Sequence, residues 1–152
     1  MPQHGSPGFR DDTFCADERL FRRYALDDLD GDGQPIASTL GFPGTSCVRE
    51  KYTDTPSDVL HRDCCGGIDP IETGILVTNV RSVEDGSFEI SGDGRAFKLV
   101  VKHRPEPTCL AHTEIWCCEP GQEPPPNPPP KVRRAFRAAL ALKLNVLVAA
   151  TT

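Results

Sequence analysis

The sequence predicts an α+β fold: a small, mostly antiparallel sheet with an N-terminal helix, and a C-terminal helix–strand unit set off by a proline-rich spacer. Three observations predict it. Runs rich in β-formers and bounded by turn residues fill the middle of the chain, above all 75–80 and 97–102. Seven prolines fall within residues 120–130, the composition of a stiff polyproline-like spacer. Beyond it Val132, Phe136, Ala139 and Leu140 recur at helical spacing, with Arg133, Arg134 and Arg137 on the other side.

In chain order, residues 1–11 read as a disordered arm. Asp12 or Thr13 is placed to cap a helix running to about Leu26, along which Phe14, Leu20, Phe21 and Tyr24 make an uneven apolar stripe. Asp28, Asp30, Asp32 and Gly33 then copy the first half of a calcium loop. Thr39 stands at the twelfth position, where a bidentate acid is needed, so an Asx-rich turn is expected instead. Thr55-Pro56-Ser57-Asp58 reads as a helix entry leading to His61 and Cys64. Residues 91–95 form a tight turn that makes 88–90 and 97–102 a hairpin. Pro105 and Pro107 cannot donate to a ladder, so they belong to the connection of a second hairpin, 98–103 with 112–117. Residues 144–148 read as a last strand. The expected organisation is an arm at 1–11, an α+β domain at 12–119, the spacer at 120–130, and the basic amphipathic helix and terminal strand at 131–152.

At 152 residues the chain fits one domain, large enough to bury roughly 68–70% of its unfolded surface. Hydrophobic residues make up 38%, beside 15 Pro and 13 Gly, which points to a small core and many loops. The net charge of −5 is unevenly placed. No acid follows Glu123, while Lys131, Arg133, Arg134, Arg137 and Lys143 give the tail +5 and leave −10 on the first 123 residues. An acidic body argues against nucleic acid as the main ligand, which stays a secondary expectation beside a protein partner. The first residues hold no apolar run, and the apolar stretch near the end is interrupted by Lys143 and Asn145 and too short to span a bilayer. A cytoplasmic protein without membrane contact is expected, and its seven cysteines are expected as thiols or metal ligands.

The chemistry-bearing residues concentrate late in the chain. Three of four histidines and five of seven cysteines fall between residues 61 and 118. His61/Cys64 and Cys109/His112 are two short-spaced pairs that would complete a zinc site with two Cys and two His ligands, although the 44 residues between Cys64 and Cys109 exceed the usual spacing. Buried, uncharged cysteine is the alternative. Cys117 and Cys118, adjacent on a strand, must point to opposite faces. At the second hairpin, His103 and His112 would approach across the turn with Glu114 on the face of His112. Two histidines and a carboxylate, with Lys102 or Arg104 nearby, are the equipment for acid–base cleavage of a phosphodiester. Ser46 and Cys47 have no base beside them in sequence. Phosphate-binding glycine loops, nucleophile elbows and metalloprotease helices are absent from the sequence.

Two stretches resemble a group of small, uncharacterised bacterial single-domain proteins. One is Ser38-Thr-Leu-Gly-Phe42 with Thr45-Ser-Cys-Val-Arg-Glu-Lys-Tyr52 and Thr55-Pro-Ser-Asp-Val-Leu60. The other is His103-Arg-Pro-Glu-Pro-Thr-Cys-Leu-Ala-His112-Thr-Glu-Ile115, which carries the group's His-x-Pro…Ala-His segment. The group's Ser-Val-x-Arg pattern is departed from at Ser46-Cys47-Val48-Arg49, and the likeness covers under half the chain. It carries no activity, but it implies that His103 and His112 belong to one structural unit.

These readings lead to a non-enzymatic interaction protein, a small cytoplasmic subunit or accessory component of a bacterial complex. Val132, Arg133, Arg134, Phe136, Arg137 and Leu140 are its expected contact residues, because an amphipathic helix this short must dock on a partner or on its own sheet. The competing expectations are a His-dependent phosphodiesterase or nuclease using His103, His112 and Glu114, and a binding module stabilised by zinc on His61, Cys64, Cys109 and His112.

Overall fold

The structure, a computed structural model, describes residues 10–41, 44–53, 55, 73–92, 94–107 and 109–150. Leu20, Phe21 and Tyr24 decide its first element. Spread on a strand, Leu20 and Tyr24 point to one face and Phe21 to the other, and all three are buried. A strand covered on both faces lacks the alternation that marks a half-exposed one. The helix expected over residues 12–26 is therefore replaced by an irregular arm, residues 10–18, and strand β1, Arg19–Ala25.

Six strands follow: β2 (Thr45–Arg49), β3 (Thr73–Asn79), β4 (Ser87–Glu89), β5 (Ala96–His103), β6 (His112–Cys118) and β7 (Asn145–Val148). They make one antiparallel sheet in the order β4-β5-β6-β2-β1-β3-β7. Both expected hairpins are present. β4 pairs with β5 through Phe88↔Phe97, and β5 pairs with β6 from Lys98↔Cys118 to His103↔Thr113. The strand expected over 75–80 ends at Asn79, whose side chain accepts the Ser82 N–H and so caps a short helix, α1 (Val80–Glu84). The Asp-rich turn is an Asx turn: the Asp30 carboxylate accepts the N–H groups of Asp32 and Gln34.

Residues paired across antiparallel strands share a face. The register puts Leu20, Tyr24, Cys47, Leu76, Leu99, Ile115 and Cys117 on an inner face, where α1 and helix α2 (Pro130–Ala141) complete the main core. Phe21, Val48, Ile75 and Val77 lie on the outer face with His112, Glu114, Trp116 and Cys118. The basic tail helix docks on its own sheet. Val132, Phe136 and Leu140 are each 0% exposed within the main core. The start of α2 packs near β4 at one sheet edge, and β7 pairs with β3 at the other, so the C-terminal unit straps the inner face from edge to edge.

The arm is held by a buried charge. Arg49, 0% exposed, donates from Nε and Nη2 to the two carboxylate oxygens of Glu18, each at 2.8 Å. Its guanidinium also donates to the Asp11 and Thr13 carbonyls and lies over the Phe14 ring at 4.0 Å. The arm in turn supplies the Ala16 and Glu18 carbonyls to the first amides of α1, Arg81 and Val80. Asp11 accepts from Lys51 Nζ at 2.6 Å and from the Tyr52 hydroxyl at 2.7 Å. The hydrogen bond from Lys51 holds its carboxyl well below the usual carboxylate range.

Where the strap ends it crosses Gly74. A β-carbon there would lie 2.3 Å from the Val148 carbonyl oxygen and 2.6 Å from the Ala150 nitrogen, both backbone atoms that cannot rotate away. Gly74→Ala is expected to unseat β7 and the Ala150 N–H to Tyr24 hydroxyl bond, at a cost of about 1–3 kcal/mol. Denaturant titration of the variant checks this, and an unchanged midpoint would contradict it.

Candidate functional site

The connection between β5 and β6 is braced by its two histidines. His103 closes β5 and His112 opens β6. Each ring bonds the carbonyl just beyond the other strand's end: His103 Nε2 to Leu110 O at 2.7 Å, and His112 Nδ1 to Arg104 O at 2.7 Å. A ring nitrogen facing a carbonyl must carry the proton. His103 is thereby fixed as the Nε2–H tautomer, and its Nδ1 accepts the Asp11 N–H at 2.9 Å. With both nitrogens committed, 0% exposure and Tyr52 stacked at 5.3 Å, His103 is a structural residue. Burial pushes its pKa below the ordinary 6.5.

His112 differs in one respect. Its Nδ1–H is spent on Arg104, with the Glu106 carboxylate 3.6 Å from the same nitrogen, so the Nε2 lone pair points away from the connection. That lone pair accepts the Ser46 hydroxyl at 3.2 Å. Ser46 reaches it because β2 pairs with β6 in the register Val48↔His112 and Ser46↔Glu114, which puts all four on the outer face. Glu114 therefore stands directly opposite Ser46. It accepts the Trp116 indole N–H at 3.0 Å and lies 4.0 Å from Arg104 Nε. Trp116 rests against the backbone of Gly44, where a β-carbon would meet the indole at 2.8 Å and φ is +77°. The result is a partly exposed polar cluster of Ser46, Glu114, Trp116 and Arg104 around a buried imidazole.

Among the residues singled out in the sequence, His112 and Glu114 do share this face, as expected. His103 does not join them, because Thr113, its partner in the register, faces inward. Ser46 is the residue that sequence reasoning passed over. Its base lies 66 positions away, and only the β2–β6 register, which no local pattern announces, brings them together. His61 and Cys64 lie outside the described residues. Cys109 is disulfide-bonded, so the expectation of thiols throughout needs correction at this position. The cytoplasmic expectation loses the support it drew from free thiols. A disulfide sulfur is also not the thiolate that zinc requires. No group of three or more His, Cys, Asp or Glu able to hold a metal occurs among the described residues. Cys15, Cys117 and Cys118 are free thiols, and burial pushes the Cys117 thiol up to about 12. Of the tail residues, Arg133 and Arg134 are exposed and Arg137 is half-buried, while Val132, Phe136 and Leu140 are core.

Two predictions test these placements. Because the folded His103 has a depressed pKa, the unfolded chain takes up its proton first. The stability that His103 contributes is complete above about pH 6.5 and lost as pH falls below it. Nitrogen-detected spectra of the rings are expected to show His103 as the neutral Nε2–H tautomer at pH 7, and a charged ring or an Nδ1–H tautomer there would contradict the brace. At Cys109, a reductant is expected to lower stability by about 2–5 kcal/mol, whereas a zinc chelator leaves it unchanged. Unfolding midpoints with each reagent decide between disulfide and metal.

No family model matches the chain, and neither a curated protein nor a solved structure matches it significantly.

Proposed function

We propose that this chain is an interaction protein, a small subunit of a larger complex, and that its contact surface is the outside of the C-terminal unit. The apolar face of α2 is used by the core, so a partner meets what the unit leaves exposed. One observation carries this reading. Of the four exposed large hydrophobics among the described residues, three lie within six positions of one another: Leu142, Val146 and Leu147, at 84%, 41% and 40% exposure. They sit at the end of α2 and on β7, the outermost strand of the sheet among the described residues. Arg133, Arg134, Arg137 and Lys143 share this unit, and no acidic residue occurs within it. Exposed apolar residues on a unit whose charges are all basic fit a protein whose own apolar patch is accompanied by Asp and Glu. No described helix is long and apolar enough to cross a membrane.

The apolar and charged parts have different kinetic signatures. Leu142→Ser with Leu147→Ser is expected to lower affinity mainly through faster dissociation, whereas Arg133→Glu with Arg134→Glu slows association and reduces its salt dependence. Cross-linking mass spectrometry on complexes isolated from native extract locates the contact. Cross-links confined to the C-terminal unit, with loss of the complex in the apolar variant, support the reading. Cross-links elsewhere, or a complex released by nuclease, overturn it, and the second result moves the basic tail to nucleic acid.

A further inference from the structure

We propose that Ser46 is a nucleophile activated by His112 and that it takes uncharged carboxylic esters. A serine hydroxyl is a weak nucleophile until a base stands ready for its proton, and a useful base must be fixed in tautomer and orientation. Both conditions are met on the outer face. The Arg104 carbonyl at 2.7 Å obliges His112 Nδ1 to keep its proton, which leaves Nε2 as a lone pair 3.2 Å from Ser46 Oγ. The Glu106 carboxylate, 3.6 Å from Nδ1, opposes the positive charge that the ring gains when it takes the serine proton. His112 is buried among the elements that hold it, whereas Ser46 is partly exposed, so the base is shielded and the nucleophile reachable. Nothing in the bracing of the hairpin requires the Ser46 contact: His103 braces the same connection with no serine on it.

The surroundings select the substrate. Glu114 stands directly across from Ser46 and Glu106 lies beyond the imidazole, with the Arg104 guanidinium 4.0 Å from Glu114; two carboxylates against one cation disfavour an anion at the attacking oxygen. Trp116, two residues along the face of Glu114, offers an apolar surface for an uncharged acyl group. The step balances within these groups. Ser46 Oγ bonds to the acyl carbon as its proton passes to His112 Nε2. The bond from carbon to the leaving oxygen then breaks, and that oxygen takes the proton from Nε2. Water repeats the sequence on the acyl-serine, releasing the acid and restoring the hydroxyl.

The test uses the full chain and a neutral fluorophosphonate, which forms a stable bond to an activated serine with loss of fluoride. Intact mass and peptide mapping are expected to place one adduct on Ser46. Ser46→Ala is expected to abolish it. His112→Gln, which keeps a donor toward Arg104, is expected to slow it by roughly 100-fold or more at an unchanged melting temperature. A supporting result is a matching loss of p-nitrophenyl acetate hydrolysis in both variants. Absence of an adduct in the wild type, an adduct at another residue, or equal labelling of the His112→Gln variant overturns the proposal.

Discussion

A single buried guanidinium, that of Arg49, organises this protein. A charge taken fully out of water is tolerated only when its donors are matched, because an unmatched one costs several kcal/mol. Arg49 meets the condition with Glu18 from the arm, the backbone carbonyls of Asp11 and Thr13, and the faces of Phe14 and Tyr52. Meeting it commits the arm to one path across the end of the sheet. The committed arm presents the Asp11 N–H and the Asp12 carboxylate to His103. His103 fixes Leu110, the Arg49 N–H holds the Ala111 carbonyl, and the next residue is His112. The orientation of the imidazole that faces Ser46 thus descends from Arg49, which lies on the opposite face of β2 from Ser46.

The sequence shows some of this plainly and hides the rest for definable reasons. The two hairpins are legible because their turns carry Gly and Pro at positions a ladder rejects. The terminal helix is legible because Val132, Phe136 and Leu140 repeat at helical spacing. β1 reads as a helix because its apolar residues serve two cores: Leu20 and Tyr24 the inner one, Phe21 the outer one. β2 is missed altogether. Thr45-Ser-Cys-Val-Arg holds a charge that looks like surface, and only its burial against Glu18 explains an arginine inside the sheet. The polar cluster depends on β2, so Ser46 is set aside in the sequence for want of a base that only the β2–β6 register supplies. His103 and His112 prove to be one structural unit, as the resemblance implies, but through the carbonyls they brace and not through each other.

The two ends of the chain solve the same problem by different means. A twisted sheet leaves its inner face and its edges to be covered. The C-terminal unit covers the inner face by apolar burial, laying α2 across it and returning β7 to the edge beside β3. The N-terminal arm covers the end of the sheet by polar matching around Arg49 and Asp11. Apolar coverage leaves a remainder, since Leu142, Val146 and Leu147 stay exposed once the strap is in place. The polar arm leaves none of that kind. Leu142, Val146 and Leu147 belong to the C-terminal unit, whereas Ser46 lies on the outer face of β2.

Native-state hydrogen exchange of an Arg49→Met variant tests the account most directly. If the buried guanidinium is what commits the arm and, through it, the β5–β6 connection, the amides of Asp11 and His103 lose most of their protection. Those along the β1–β3 ladder, to which the Arg49 guanidinium makes no hydrogen bond, keep theirs. If Asp11 and His103 remain as protected as in the wild type, the arm is held by something other than Arg49, and the chain of dependence from that charge to His112 is broken.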